Sequence, residues 1–168
     1  MIELIAGNLC SLLAMTTDVI SSSRKTAKGV LLVQSVSQLI YCIGSILLKG
    51  YSAAVQNGVS VFRNLFAVSG KESKLMEWAF VILGVVLGLY LNNRGIFGWL
   101  PVIANLEYSL AVFRFKDNEW ALKLAFFISI VLYTMFCFVI LNFVGIVTNT
   151  VVLITTGIFL VKGRKKKA

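Results

Sequence analysis

Residues 71–94 read KESKLMEWAFVILGVVLGLYLNNR and decide the fold, because they join an apolar segment to unequal charge at its two ends. Two lysines, Lys71 and Lys74, precede the apolar segment, and a single basic residue, Arg94, follows it. As a helix, segment 75–92 would be about 27 Å long, close to the thickness of a hydrocarbon core. The stretch therefore predicts a membrane span whose N-terminal end is cytoplasmic, because cytoplasmic loops are rich in Lys and Arg.

Gaps that are rich in Lys and Arg alternate with gaps that are poor in them along the whole chain. Basic residues are frequent in every second gap between apolar segments, whereas the intervening gaps hold Lys49, Arg94 or no basic residue. The basic gaps and the tail contain Arg24, Lys25 and Lys28; Lys71 and Lys74; Arg114, Lys116 and Lys123; and Lys162, Arg164, Lys165, Lys166 and Lys167. This alternation predicts seven spans, with the N-terminus outside and the C-terminus in the cytoplasm.

We place the predicted spans at 2–22, 30–48, 52–69, 75–92, 98–115, 119–140 and 143–161. A single helix over the last two would be about 64 Å long, twice the hydrocarbon thickness, so a turn near Asn142 is expected. The third span is the least hydrophobic, but the alternation of charge requires it. Its polar residues are Gln56, Asn57, Arg63 and Asn64.

The composition is that of a membrane protein. Hydrophobic residues make up 58% of the 168 positions, charged residues 14%, and the mean hydropathy is +0.89. Spans of roughly 20 residues use nearly the whole chain and leave no room for an extramembrane domain. The net charge of +9 lies at span ends, which indicates membrane anchoring and not nucleic-acid binding.

Several kinds of site are not expected. The sequence has no His, no CxxC motif and no dense carboxylate cluster, so neither a metal nor another cofactor is predicted. Cys10, Cys42 and Cys137 are odd in number and lie within spans, which favours free thiols. No GxxxxGK[ST] loop is present for ATP. Without His, and with no Lys at membrane depth, we do not expect an enzyme.

An internal repeat follows from an offset of 92 residues, which aligns the first three spans with the last three without a gap. The fourth span would then reverse direction between two parallel triplets, and its Gly84-x-x-x-Gly88 motif is typical of closely packed membrane helices. The aligned pairs include Ser37 and Ser129, Tyr41 and Tyr133, and Asn57 and Asn149.

The predicted fold is therefore an all-α membrane protein with seven transmembrane helices arranged as 3+1+3. We assign residues 1–69 and 96–161 to the two three-helix repeats, 70–95 to the linker helix and 162–168 to a basic cytoplasmic tail. Parallel repeats of this kind occur in transporters, which bind the substrate near the midplane between the repeats.

The arrangement resembles the PQ-loop superfamily of SWEET sugar carriers, their half-sized bacterial relatives and PnuC-type vitamin carriers. The first half resembles the YgjV-type bacterial inner-membrane proteins more closely still. The residues that carry this likeness are Arg24-Lys25, Leu31-Leu32 and Gln34, then Leu47-Leu48 and Gly50, then Asn57 and Arg63-Asn64, and in the second half Leu100-Pro101.

The SWEET pattern implies that Asn57 and Asn149 line a solute pocket. We expect Tyr41 and Tyr133 to form its flanking walls, with Ser37 and Ser129 on the same polar faces. The resemblance also implies a hinge at Pro101, but no Gln follows it and its aligned residue is Leu9, so paired hinges are not expected.

Glu107, near the middle of the fifth span, is the remaining candidate in the pocket. A carboxyl at that depth is either protonated or paired with a cation. It would bind a cationic group or carry a coupling proton, or it would be a structural carboxyl bonded to a neighbouring helix.

Asp18 and Arg63 lie at similar depth and would form an ion-paired cytoplasmic gate. The alternative places Asp18 at the interface beside Arg24, with Arg63 reaching lipid phosphates.

These features predict a carrier of the bacterial inner membrane that moves a small polar solute, such as a sugar, nucleoside or vitamin, without ATP. The alternatives are a non-transporting accessory or assembly subunit, and a solute-binding subunit of a larger transporter. The expected partners are membrane lipid and the solute but not nucleic acid, and a homo-oligomer is compatible with the sequence.

Overall fold

The computed structural model describes residues 2–70, 73–115, 117–139 and 142–165, with side chains described as far as Lys162. These residues form seven α-helices, each of which corresponds to one predicted span. The helices are α1 (Ile2–Ser23), α2 (Ala27–Leu47), α3 (Tyr51–Ser69), α4 (Lys74–Tyr90), α5 (Trp99–Arg114), α6 (Glu119–Val139) and α7 (Phe143–Lys165), and a 3-10 helix (Gly95–Gly98) precedes α5. Four basic residues of the charge pattern lie outside the described residues, namely Lys71, Lys116, Lys166 and Lys167.

Five of the helical segments are long and apolar enough to cross a membrane: α1, α2, the 3-10 helix with α5, α6, and α7. The helix α4 has 17 residues, and α3 carries its polar side chains on the face that packs inward. Gln56, Arg63 and Asn64 are all fully buried, so the polar residues of α3 are not exposed to lipid. Membrane crossing by α3 and α4 remains a prediction from the charge pattern.

Local side-chain chemistry fixes where the helices begin. Thr26 precedes α2, and its side chain accepts a hydrogen bond of 3.1 Å from the amide of Gly29. Asn142 precedes α7 and accepts a bond of 2.8 Å from the amide of Gly145. The turn predicted near Asn142 is therefore confirmed. Gly70 ends α3 with a φ of 70°, a conformation that other residues rarely adopt.

Six of the helices form a closed ring, which consists of the triplet α1–α3 and the triplet α5–α7. In each triplet the middle helix packs against the other two. Helix α2 packs against α1 and α3, and α6 packs against α5 and α7. The two triplets meet where α1 contacts α7 and where α3 contacts α5, and α2 also touches α6 across the ring. Helix α4 lies outside the ring and packs against α3 and α5.

Two glycines allow α4 to approach that part of the ring closely. A Cβ atom at Gly88 would overlap the side chain of Gln56 and lie 2.9 Å from that of Val102. A Cβ atom at Gly84 would lie 3.0 Å from the side chain of Asn105. The Gly84-x-x-x-Gly88 motif therefore provides the close packing expected of it.

The apolar core lies near the predicted cytoplasmic ends of the ring helices. It is built from the start of α2, the end of α5, the start of α6 and the middle of α7. Its most deeply buried members are Leu31, Val112, Leu122, Phe126 and Val152. The helix ends on the opposite side of the ring surround a cavity.

Candidate functional site

A cavity opens between the two triplets near the end of α2, the start of α3, the end of α6 and the start of α7. Its empty volume is about 630 Å³, part of which is open to the exterior. Eight polar side chains line it: Ser11, Gln38, Tyr41, Ser45, Asn57, Tyr133, Asn142 and Asn149. The other lining residues are Leu48, Ala53, Ile130, Phe136, Cys137 and Gly145, so none of the described lining residues carries a formal charge at neutral pH.

Most lining residues come in pairs that the offset of 92 residues aligns. Each pair takes one residue from the first triplet and one from the second. The pairs are Gln38 and Ile130, Tyr41 and Tyr133, Ser45 and Cys137, Ala53 and Gly145, and Asn57 and Asn149.

The two asparagines occupy equivalent surroundings in this cavity. The side-chain amide of Asn57 on α3 donates to the hydroxyl of Ser45 on α2 at 3.4 Å. The amide of Asn149 on α7 donates to the sulfur of Cys137 on α6 at 3.8 Å. Both bonds are long and therefore weak, so both amides are available to a solute. Asn57 and Asn149 thus line one cavity, as the sequence predicts.

The predicted tyrosine walls are also in the cavity, but the predicted serines are not. Tyr41 and Tyr133 face it, whereas Ser37 and Ser129 are buried and absent from its lining. Each serine lies one helical turn deeper than its tyrosine, towards the predicted cytoplasmic end. The prediction that the serines bind solute is corrected accordingly.

A second cavity, of about 710 Å³, lies beside the first and shares Ser45, Leu48, Ala53, Phe136 and Asn142 with it. It extends towards Asn8 on α1 and towards Asn93 and Arg94 after α4. These residues belong to predicted external ends. The two cavities are therefore adjacent, and both lie at the helix ends that the charge pattern predicts to be external.

The predicted gate is not an ion pair in this structure. Asp18 is fully buried on α1, and its Oδ1 atom lies 2.5 Å from the hydroxyl oxygen of Ser37 on α2. No salt bridge joins Asp18 to Arg63. The alternative for Arg63, a side chain that reaches lipid phosphates, is also wrong because this residue is fully buried.

Arg63 is the centre of a network of neutral hydrogen-bond acceptors. Its Nη1 atom donates to Asn105 Oδ1 at 2.8 Å and to Ser109 Oγ at 2.7 Å, both on α5. Its Nε and Nη2 atoms donate to Asn64 Oδ1 at 3.1 and 3.0 Å. The guanidinium also lies 4.8 Å from the centroid of the Tyr108 ring, in cation–π geometry.

The network continues to α4. Asn105 accepts a bond of 2.7 Å from Ser60 and donates one of 2.5 Å to the side-chain oxygen of Gln56. The Nε2 atom of Gln56 donates at 2.7 Å to the backbone oxygen of Gly84. The glycine motif of α4 therefore leaves space for the polar side chains between α3 and α5.

Glu107 and Pro101 lie away from the cavity. Glu107 is half-buried on α5, outside the cavity lining, and its Oε2 atom is buried without a hydrogen-bond partner among the described residues. Glu107 is therefore not among the residues that line this cavity. Pro101 is buried in the first turn of α5, where a missing backbone N–H breaks no helical hydrogen bond.

Several lining residues were outside the predicted site. Gln38, Ser45 and Cys137 lie on the same helix faces as the tyrosines, so the spacing of polar residues could have found them. Phe136 and Gly145 carry no such signal.

Comparison with known proteins places the chain in a family. No curated protein and no solved structure matches it. A protein family described as bacterial inner membrane protein matches residues 5–167, nearly the whole sequence. Together with the apolar helices, this match identifies a multi-pass protein of the bacterial inner membrane, and the chain belongs to the Imp-YgjV family.

Proposed function

We propose that the protein is a carrier that moves a small polar solute across the inner membrane by alternating access, without ATP. The observation that supports this most directly is the cavity lined by aligned residue pairs from the two triplets. A non-transporting subunit with polar residues for partner helices would expose them on its outer surface. Here the polar residues line the interior, and the exposed surface is rich in large hydrophobic side chains.

The repeat itself is part of the proposal. If the offset of 92 residues relates α1, α2 and α3 to α5, α6 and α7, then the α1–α7 contact corresponds to the α3–α5 contact. Both contacts are present, and both middle helices pack against their outer neighbours in the same way. This agreement supports two parallel triplets, with α4 as the reversing helix, and a kinship with the PQ-loop and SWEET carriers.

The chemistry of the cavity favours an uncharged solute. The polar lining offers amide and hydroxyl groups from Gln38, Asn57 and Asn149, and aromatic faces from Tyr41 and Tyr133. Such groups suit a solute with hydroxyl or amide groups on a flat ring, such as a sugar, a nucleoside or a neutral vitamin. We do not assign charge selectivity to Glu107, because it does not line the cavity.

The conformation corresponds to an outward-open state in the proposed cycle. The two cavities lie at the predicted external ends, and the apolar core closes the predicted cytoplasmic half. In the other state, the core would separate and the external ends would close over the solute.

The decisive experiment is a solute screen with purified protein in liposomes. A panel of labelled neutral sugars, nucleosides and vitamins should contain at least one solute that enters by saturable exchange. Asn57→Ala and Asn149→Ala should each weaken its binding by about 1–3 kcal/mol, because a buried polar group of the solute loses its partner. Thr150→Ala is the matched control, since Thr150 is exposed and bonds its own helix backbone. Equal transport by all three variants would contradict the proposed pocket.

The orientation needs its own test. Reporter fusions at residues 50, 95 and 142 should report the outer side, and fusions at 26, 72, 118 and the C-terminus the cytoplasm. This outcome follows from the distribution of Lys and Arg. A cytoplasmic signal at residue 95 would show that α4 does not cross the membrane, and would remove the parallel arrangement of the triplets.

A further inference from the structure

Asp18 lacks a counter-ion among the described residues. Its side chain is fully buried between α1 and α2, and no lysine or arginine nitrogen lies within 4.0 Å of it. The titratable groups that interact with it are Tyr41 on α2 and Tyr108 on α5. Helix α7, which also packs against α1, carries no titratable side chain between Phe143 and Val161.

A carboxylate in this position is unstable unless it binds a proton. Transfer of an ionised carboxylate from water to an apolar interior without a counter-ion is very costly, whereas a neutral carboxylic acid needs only hydrogen-bond partners. In the closed half of the molecule, Asp18 is therefore expected to be a neutral acid.

The hydrogen bonds of Ser37 agree with this state. The Ser37 hydroxyl lies 2.5 Å from Oδ1 of Asp18 and 3.0 Å from the backbone oxygen of Gln34. One hydroxyl has one proton, and both of these atoms accept if Asp18 is ionised, so one of the two contacts would lack a proton. If Asp18 is protonated, its O–H group donates to Ser37, and Ser37 donates to Gln34. Both contacts are then hydrogen bonds.

Tyr41 connects this carboxyl group to the cavity. Tyr41 lines the cavity and lies beside Asp18. The Tyr41 hydroxyl and Oδ2 of Asp18 are both buried and without a hydrogen-bond partner of ordinary geometry among the described residues. A small rotation of the tyrosine ring or of the carboxyl group would join them, and a solute packed against the Tyr41 ring would restrict that rotation.

We propose that Asp18 is a proton-binding site that couples proton movement to the solute cavity through Tyr41, a role that rests on the proposed carrier function. In the outward-open state, a proton binds the Asp18 carboxylate and forms an O–H bond. When the cytoplasmic half opens, water reaches Asp18, the O–H bond breaks, and the proton leaves to the cytoplasm. Because the proton site and the bound solute both depend on the position of Tyr41, movement of the proton is linked to movement of the solute.

The proton site can be tested without a known solute. Infrared spectra of the protein in liposomes should contain the carbonyl stretching band of a protonated carboxylic acid, which decreases as the pH rises. Asp18→Asn should remove this band, because the acid is replaced by an amide. Glu77→Gln is the control, since it changes a carboxyl group on α4 that lies outside the cavity, and it should leave the band unchanged. Loss of the band in Glu107→Gln, with retention in Asp18→Asn, would overturn the proposal.

A second variant covers the case in which Asp18→Asn does not fold. Ser37→Ala keeps the carboxyl group and removes its hydrogen-bond partner, so the band should shift in frequency. An unchanged band would show that the protonated acid is not Asp18.

Transport separates this proposal from the carrier function itself. With a solute from the screen, Asp18→Asn should lose accumulation driven by a pH gradient and should retain exchange at equal pH. Loss of the infrared band together with full pH-driven accumulation would disprove coupling and leave the carrier function intact. A screen without any transported solute, together with the expected infrared result, would disprove the carrier and leave the proton site intact.

Discussion

The two contacts that join helices α1–α3 to helices α5–α7 differ sharply in chemistry, although the proposed repeat would make them equivalent. Between α3 and α5, Arg63 and Asn105 are centres of a buried network of hydrogen bonds. Between α1 and α7, the described side chains form one hydrogen bond, the 2.7 Å contact of Ser22 with Thr156. The residue aligned with Asn105 is Leu13, which is 58% exposed.

The difference follows from the position of α4. This helix covers α3 and α5, so side chains that would otherwise face lipid are buried there and can be polar. None of the described helices covers α1 and α7 in this way, and Leu13 at the aligned position is exposed. The hydrogen-bonded network therefore belongs to the edge that α4 covers, whereas the α1–α7 edge packs closely with a single hydrogen bond between its described side chains.

The largest expected effect comes from removing the acceptor at the centre of the network. Asn105→Leu should destabilise the protein by about 3 kcal/mol or more, because a buried guanidinium loses one of its acceptors and Ser60 and Gln56 lose their partner. Unfolding in mixed detergent micelles provides the measurement. Leu13→Ala, at the aligned position, is the control and should have little effect because Leu13 is exposed. Similar losses in the two variants would show that the network does not stabilise this edge.

A smaller effect is expected where α4 meets the network. Gly88→Ala should lower stability by about 1–3 kcal/mol, because the new methyl group overlaps Gln56 and crowds Val102. Gly157→Ala on α7 should be neutral or stabilising by up to about 1 kcal/mol, since its nearest neighbour is 3.7 Å away and alanine favours helices. Opposite signs in the same unfolding assay would confirm that α4 packs against the network more closely than α7 packs around Gly157, and equal signs would contradict it.

The smallest effect is expected at the contact between α1 and α7. Ser22→Ala should cost about 0.6 kcal/mol, the average for an interhelical hydrogen bond in a membrane protein. A double-mutant cycle with Thr156→Val isolates the interaction between the two hydroxyls. A coupling energy above about 2 kcal/mol would mean that this edge is held as firmly as the other.

Much of the helical fold could be predicted because its determinants are local. Apolar segments and the basic gaps locate all seven helices, and Asn142 marks the turn between the last two. Gly84 and Gly88 indicate close packing before any partner is known. The motif does not indicate which helices pack against α4, and in the structure these are α3 and α5.

The candidate site was predictable only in part. Asn57 and Asn149 were predicted from the resemblance to the SWEET pattern, the offset also aligns them, and they line one cavity. Ser37 and Ser129 share helix faces with the tyrosines, but a shared face does not determine the depth at which a cavity ends. For Glu107, the sequence indicates the depth in the membrane. Depth alone does not determine how the helix is rotated, so it does not show whether the carboxyl group faces the cavity.

The partners of Arg63 could not be predicted from its surroundings in sequence. Its acceptors Asn105 and Ser109 lie 42 and 46 residues away, on a helix whose position depends on how the triplets meet. Membrane hydropathy suggests that an arginine at this point should reach lipid phosphates. The burial of α3 beneath α4 overrides that expectation.

The position of α4 outside one edge also determines how far parts of the ring can move. The distance from the α3–α5 edge to the α1–α7 edge is about two helix spacings, or roughly 16–20 Å. If the triplets pivot at the α4-covered edge, a rotation of about 10° would displace the far edge by about 3 Å, the diameter of a water molecule. Helix α4 would then mark the axis of rotation. Small shifts beside Arg63 would correspond to larger shifts between α1 and α7, enough to admit or exclude water there.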